Sequence, residues 1–321
     1  MARKNEGVLS TDTDTEREAM ITSRASTFRP AKAGFAGSFA PGTRPTDIRL
    51  VPWWRDREYL IGGWTDATMW KSAWIEMTAT AFLVYISGMI AGTLMSYETK
   101  QVGAYIGISS IFLIATFVYA TAPVSGGHMN PMITFCVVLS GMCPVSRGIA
   151  YMLGQTLGAA LGGGVLLGIW GPTRATQYYG GGCFYNTEFI SEGQVFLNEL
   201  FASMALLYLA YGVGLDPRQA EFFGPRMGPL LVGASLGVVA FATSGIVPGF
   251  AGAQMHPARC FGFGVAKRDM VGQWIWWFAP AIAAMLSALM YNLIPLHRAD
   301  DATTEEKEKE SEAASRRQVE V

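Results

Sequence analysis

Hydrophobic positions in this chain gather into long unbroken runs rather than the alternating or one-faced patterns of a soluble domain. Six runs are long enough for a bilayer, where about 20 apolar residues are needed. They lie near 73–95, 103–123, 147–170, 194–214, 228–248 and 272–294, and the second, fifth and sixth hold no charged residue. Three of them carry glycine at helical spacing: Gly88 and Gly92; Gly154, Gly158 and Gly162; Gly233 and Gly237. Small residues repeated in this way let helix backbones approach closely in lipid, so tight packing of these spans is predicted.

Two shorter apolar stretches, 129–140 and 255–265, are too short to cross. Each follows a glycine-rich loop and opens on a proline: Gly126-Gly127-His128-Met129-Asn130-Pro131 and Gly252-Ala253-Gln254-Met255-His256-Pro257. Proline at the first helical position behind a capping residue is a helix start. Both stretches therefore read as half-helices that enter the membrane and stop.

The halves repeat. Glu76 precedes Asn130 by 54 residues and Glu199 precedes His256 by 57. Each half reads as a span with a glutamate, a second span, a half-helix and a third span. Three spans per half is odd, so the halves must have opposite topology. Inverted repeats of this kind place a functional site at the midplane, where broken helices meet. The predicted fold is an all-α membrane protein of six transmembrane helices and two re-entrant half-helices. The channel region is 72–296, with repeats at 72–171 and 193–296.

Composition sharpens the reading. Of 49 charged residues in the 321-residue chain, the 225 positions from 72 to 296 hold 16. A soluble domain that poor in charge has no wettable surface, which excludes an ordinary soluble enzyme. The same region holds 31 of the 37 glycines, and the net charge of −1 offers no field for nucleic acid. The flanks are polar: 1–71 forms one tail and 297–321 the other. Residues 1–50 read as mostly disordered, and no cleaved signal peptide is expected. Trp53, Trp54, Tyr59, Trp64 and Trp70 read as an interfacial anchor, and the charged run 305–312 as a solvated tail. Lys and Arg near the span ends number seven on the tail side against four on the other, which puts both tails in the cytoplasm.

Ser125-Gly126-Gly127-His128-Met129-Asn130-Pro131-Met132 resembles the first signature loop of the aquaporin, or major intrinsic protein, family, and His256-Pro257-Ala258-Arg259-Cys260-Phe261-Gly262 resembles the second. The family pattern is Asn-Pro-Ala in both loops, followed in the second by Arg and usually Asp. Cys260 in place of that Asp resembles the X-intrinsic-protein subfamily. The resemblance covers about 73–294 and implies a passive channel without cofactor, four chains associating with one pore each. It also implies a plasma membrane as the default location.

Physical chemistry supports such a pore. Half-helix N-termini carry about half a positive charge each and unpaired N–H groups, so two of them meeting centrally orient water and oppose cations. Asn130 suits the cap, its amide oxygen taking backbone N–H groups while its NH2 faces the pore. His256 departs from the pattern; a neutral imidazole imitates Asn, and a protonated one makes the pore acid-sensitive, and both readings stay open. Met132 in place of Ala is a second departure and is expected to pack beside the pore. Arg259 at intramembrane depth is costly and by default functional.

By resemblance, Arg259 forms the outer constriction with Ser110, Thr243 and Ala253; Ser244 is the neighbour competing with Thr243, because the loop is one residue longer than usual. These are small side chains where water-selective members place an aromatic and a His. The filter is thus expected to be wider, admitting glycerol, urea, hydrogen peroxide or boric acid as well as water. Glu76 and Glu199 are expected to anchor the two loops by accepting hydrogen bonds. His128 is expected to line the cytoplasmic vestibule. Of the four cysteines, Cys136 and Cys143 lie toward the cytoplasm and are expected to stay reduced. Cys183 and Cys260 share the outer side, and the resemblance suggests a disulfide or redox-sensitive pair, two unlinked thiols being the alternative. No cysteine spacing suggests a metal.

Three rivals remain. A coupled transporter also uses inverted repeats, but needs carboxylates at the midplane, and Glu76 and Glu199 sit in the first third of their spans. A membrane enzyme lacks a catalytic set, the His residues being only 128, 256 and 297. A pore closed at rest, plugged by the N-terminal aromatic stretch, is the third.

Overall fold

The computed structural model describes residues 53–216, 219 and 226–294. Of the polar tails expected at 1–71 and 297–321, residues 1–52 and the whole second tail, with His297 and the run 305–312, lie outside the described residues.

A 3-10 turn, Trp53–Arg55, leads into the short helix α1, Arg57–Ile61, and a second one, Tyr179–Gly181, follows the third span. Then follow α2 (Ala67–Ser96), α3 (Val102–Ser125), α4 (Pro131–Leu139), α5 (Val145–Gln177), α6 (Glu192–Ala210), α7 (Gly228–Thr243), α8 (Pro257–Lys267) and α9 (Gln273–Leu293). A π-turn, Tyr211–Leu215, prolongs α6. The order long, long, half, long occurs twice. Among the described residues the β-type pairing is one isolated bridge, Tyr185 to Phe250.

Local chemistry sets the boundaries. Asp66 caps α2 by accepting the Thr68 N–H at 2.8 Å, and hydrogen bonds from Thr68 hold its carboxyl below the usual aspartate range. Ser191 and Gln194 close a capping box on α6. The helical run of α5 breaks at Gly171 (φ 69°) before Pro172, so its continuous part ends where the third span was expected to end. The fifth span differs. Expected to reach 248, α7 stops at Thr243, because Ser244 turns extended and Gly245 takes a positive φ. Its 16 residues make it shorter than the other five spans, which are long and apolar enough to cross a membrane.

Both half-helices start two residues later than their apolar stretches. Met129 and Met255 hold left-handed backbone (φ 47° and 54°), and Asn130 and His256 then sit as caps outside the helix. Each Pro fills the first helical position, where its missing N–H costs nothing.

The glycine rows lie at the helix crossings. A Cβ added at Gly154 would stand 3.0 Å from the Ala73 carbonyl oxygen, and one at Gly162 would stand 2.5 Å from that of Ala81, where α5 crosses α2. Gly237 and Gly107 meet in the same way where α7 crosses α3, at 2.6 Å. Half-helix α4 packs more extensively on α9 than on α5, and α8 more on α5 than on α9. Each half-helix is therefore cradled chiefly by the third span of the opposite half, which interlocks the repeats.

The aromatic segment divides. Trp54, Trp64 and Trp70 are exposed, as an interfacial anchor requires, but Tyr59 is buried. Its hydroxyl donates to the Val138 carbonyl at 2.6 Å, and Trp53 packs against Gly141. Tyr59 thus adds a second donor to a carbonyl at the C-terminal end of α4 that already accepts the Gly141 N–H at 3.0 Å.

Candidate functional site

The site begins at the two caps. Asn130 Oδ1 accepts the Met132 N–H at 2.9 Å, and its Nδ2 donates across the repeat boundary to the Met255 carbonyl at 2.8 Å. His256 Nδ1 accepts the Arg259 N–H at 3.1 Å. That bond assigns the proton of a neutral ring to Nε2, which is buried and has no hydrogen-bond partner. Asn130 and His256 both stand on the wall of a cavity of about 40 Å3, with His128, Met129 and the apolar side chains of Leu83, Ile114, Val118, Ile133, Leu206 and Leu236. Pro131, Pro257 and Ala258 are buried at the first helical turns. Met132 lies in the core cluster with Val137 and Leu206, off the cavity walls.

His128 takes its place on this inner wall, its Nδ1 3.2 Å from Thr134 Oγ1 and its ring edge-on to Tyr151. Glu76 and Glu199 are fully buried. Glu76 accepts from the Ser125 hydroxyl at 2.6 Å, the His128 N–H at 3.0 Å, the Met129 N–H and the Gln155 Nε2 at 2.8 Å. Glu199 accepts the Gln254 N–H at 2.7 Å and the Met255 N–H. The carboxylates therefore reach the residue next to each cap, deeper than their place in the first third of a span suggested. What separates them from ion-coupling carboxylates is that loop N–H groups occupy all four oxygens.

A second, larger cavity of about 290 Å3 opens on the other side, lined by Ser110, Ala240, Ser244, Ala253, Gln254, Arg259 and Phe263 among others. Thr243 is not on this wall. Its hydroxyl donates to the Val239 carbonyl at 2.9 Å and accepts the Ala253 N–H at 3.2 Å, so it holds the loop while Ser244 faces the cavity. The Arg259 guanidinium sits 6.0 Å from the Phe263 ring centroid and donates from Nη2 to two oxygens of Gln254, each at 3.0 Å. Cys183 and Cys260 are joined in a disulfide with Cα atoms 5.5 Å apart. It ties the loop after α5 to the first turn of α8, beside Arg259. Cys136 and Cys143 are free and buried.

Two residues of this site carry no signal in the local pattern. Gln155 bridges Glu76 and Thr134 from α5, and Gln254 holds Arg259. A buried glutamine in a run of small and apolar residues was the available sign for the first. Gln254 sits inside a signature loop, where its neighbours drew the attention.

Long apolar helices in an interlocked inverted repeat, closed at the centre by two half-helices, define a multi-pass membrane protein built around a pore. The family model for the major intrinsic proteins matches residues 63–291. A probable PIP-type aquaporin 7a from Pisum sativum is 31% identical over 238 residues, covering 72% of this chain and 80% of the relative. Aquaporin TIP2-1 from Zea mays is 29% identical over 238 residues, covering 72% and 90%. The X-ray structure of the aquaglyceroporin from Plasmodium falciparum superposes with a TM-score of 0.55 at 18% identity, covering 72% of this chain and 99% of that one, which is a likeness of fold. The chain belongs to the major intrinsic protein, or aquaporin, family. Members of this family are channels rather than enzymes.

Proposed function

We propose that this chain is a passive channel for water and small uncharged solutes of the glycerol, urea, hydrogen peroxide and boric acid class. The observation that carries the reading is the group of small side chains, Ser110, Ala240, Ser244 and Ala253, that lines the 290 Å3 cavity together with Arg259. Ser110, Ala253 and Arg259 are the filter residues, with Ser244 supplying the α7 position first assigned to Thr243. Small walls leave room for a solute larger than water, and the guanidinium donors hold its hydroxyl or carbonyl groups. Arg259 and the two helix N-termini exclude cations.

Family membership supports a homotetramer with one pore per chain in 72–296. Cys260 after Arg259, paired with Cys183, supports the X-intrinsic-protein kind. The Lys and Arg excess supports cytoplasmic termini, and a plasma membrane is the location we assign.

Stopped-flow swelling of vesicles holding the purified protein tests the function. Water and glycerol gradients should both collapse faster than in empty vesicles. Permeability to water alone would overturn the wide filter. Uphill solute uptake driven by an ion gradient would favour a coupled transporter instead, which the fully bonded glutamates speak against.

A second reading is a pore closed at rest. The inner cavity is small, about 40 Å3, and its wall is largely aliphatic. Such a constriction gates by dewetting. Low water flux that rises when Leu236 is shortened to Ala would support this reading over an open pore.

A further inference from the structure

We propose that Gln254 is a positioning residue of the filter, a clamp that sets where the Arg259 guanidinium stands and keeps its charge unneutralised. The proposal rests on the channel reading above.

The geometry is local and complete. Arg259 Nη2 donates to the main-chain oxygen and to Oε1 of the same residue, Gln254, at 3.0 Å each. Among the described residues no other oxygen accepts from this guanidinium, and Arg259 Nε is buried without a partner. Phe263 covers one side of the guanidinium, while Ser110, Ala240 and Ala253 on the cavity wall are too small to wedge it in place. An arginine carries about 2 kcal/mol of rotamer entropy, so an untethered one would sample the cavity.

Gln254 is itself held from several sides. Its main-chain N–H goes to Glu199 at 2.7 Å, and its Nε2 donates to the Gly252 carbonyl at 3.0 Å. Its Oε1 lies 3.4 Å from Cys183 Sγ, so the buried disulfide forms the back of the clamp. Nε2 is thereby turned to the loop, and Oε1 must face Arg259. The orientation of a single amide thus fixes the guanidinium.

The choice of an amide has a consequence for charge. Glutamine accepts a hydrogen bond without carrying a negative charge, so it aligns Arg259 and leaves its field on the pore. A carboxylate of the same length would align it equally well and cancel that field. Glu199 is bonded to the loop N–H groups of Gln254 and Met255, so it acts on Arg259 from a distance and makes no hydrogen bond with it.

The test compares wild type with Gln254→Met, Gln254→Ala and Gln254→Glu in vesicles, reading water flux, glycerol flux and K+ conductance. Met keeps the length and removes Oε1; Ala removes the side chain and serves as the second neutral variant. Both should lower the glycerol-to-water permeability ratio roughly tenfold, the factor that goes with one charge-assisted hydrogen bond, as Arg259 moves into the aperture. Gln254→Glu should keep the ratio and admit K+. A loss of folded protein alone would lower water and glycerol flux together and leave the ratio unchanged. If wild type passes both solutes while the neutral variants keep its ratio and the Glu variant stays tight to K+, the clamp is overturned. If wild type passes neither solute, the channel reading itself fails, a result distinct from the first.

Discussion

Asn130 donates from Nδ2 to the main-chain oxygen of Met255 at 2.8 Å, so the cap of one half-helix holds the turn that launches the other. The return contact is looser. His256 Nε2 lies near the equivalent oxygen, that of Met129, without reaching hydrogen-bond geometry, and that oxygen also accepts the Thr80 hydroxyl at 3.3 Å. A site with repeat symmetry in its backbone therefore has one tied cap and one looser cap. The tied one braces the two halves, and the looser one offers its donor to the cavity.

Asn130→Asp isolates the brace. The aspartate keeps the oxygen that caps Met132 and replaces the Nδ2 donor with an oxygen facing another oxygen. Losing a buried hydrogen bond and leaving its acceptor unsatisfied costs about 1–3 kcal/mol. The melting temperature in detergent should fall, and the added negative charge where two helix N-termini meet should admit cations. A variant as stable and as cation-tight as wild type would show that the bond across the halves carries no weight.

His256→Asn should leave water flux within about twofold of wild type, because both side chains cap through one atom and donate through another. Flux through the wild type should be flat from pH 5 to 8. Protonating the ring requires Nδ1, which accepts the Arg259 N–H and so serves as the cap of α8. Two charged groups adjoin the ring's turn, Glu199 at the Met255 N–H and Arg259 in the helix itself, and the Arg259 charge adds to the opposition. Wild-type flux that falls on acidification while His256→Asn stays level would instead make His256 a pH sensor.

The parts of this molecule that repeat along the chain were readable in advance. Gly-rich loops, capping residues and Pro131 and Pro257 marked both half-helices, and the matched spacing of Glu76 and Glu199 to the caps picked out both anchors. Depth was harder to read. A glutamate in the first third of a span looks peripheral until the re-entrant loop is seen to descend to meet it. The end of α7 was missed because residues 244–250 are apolar enough to extend a span, while the positive φ of Gly245 ends it. With the helix ended at Thr243, Ser244 rather than Thr243 lines the cavity. Tyr59, Gln155 and Gln254 act through partners 79, 79 and 5 residues away, and no local pattern announces such contacts.

The two anchors should differ in cost. Glu76 takes four donors and Glu199 two main-chain ones. Each buried donor left without a partner costs about 1–3 kcal/mol. Glu76→Ala should therefore lower the melting temperature more than Glu199→Ala. Glu199→Ala should affect selectivity more, since it frees Gln254 and, through it, Arg259. Equal stabilities with equal glycerol-to-water ratios would contradict the arrangement described.

The disulfide gives the last prediction. Cys183 and Cys260 are separated by 77 residues and both are buried. Closing a loop of that length removes unfolded-state entropy worth on the order of 4 kcal/mol in the chain-entropy account, less where the denatured protein stays inserted. Cys183→Ser and Cys260→Ser should each lower the melting temperature, and the double variant should be no worse than the weaker single one, because the two residues act as one unit. Buried sulfurs also resist an added reductant in the folded protein, so brief dithiothreitol treatment should leave flux unchanged, while the same treatment after thermal unfolding should free both thiols for labelling. Flux that changes promptly with reductant in the native protein would mean that the bond is exposed to redox control rather than serving as a fixed support behind Gln254 and Arg259.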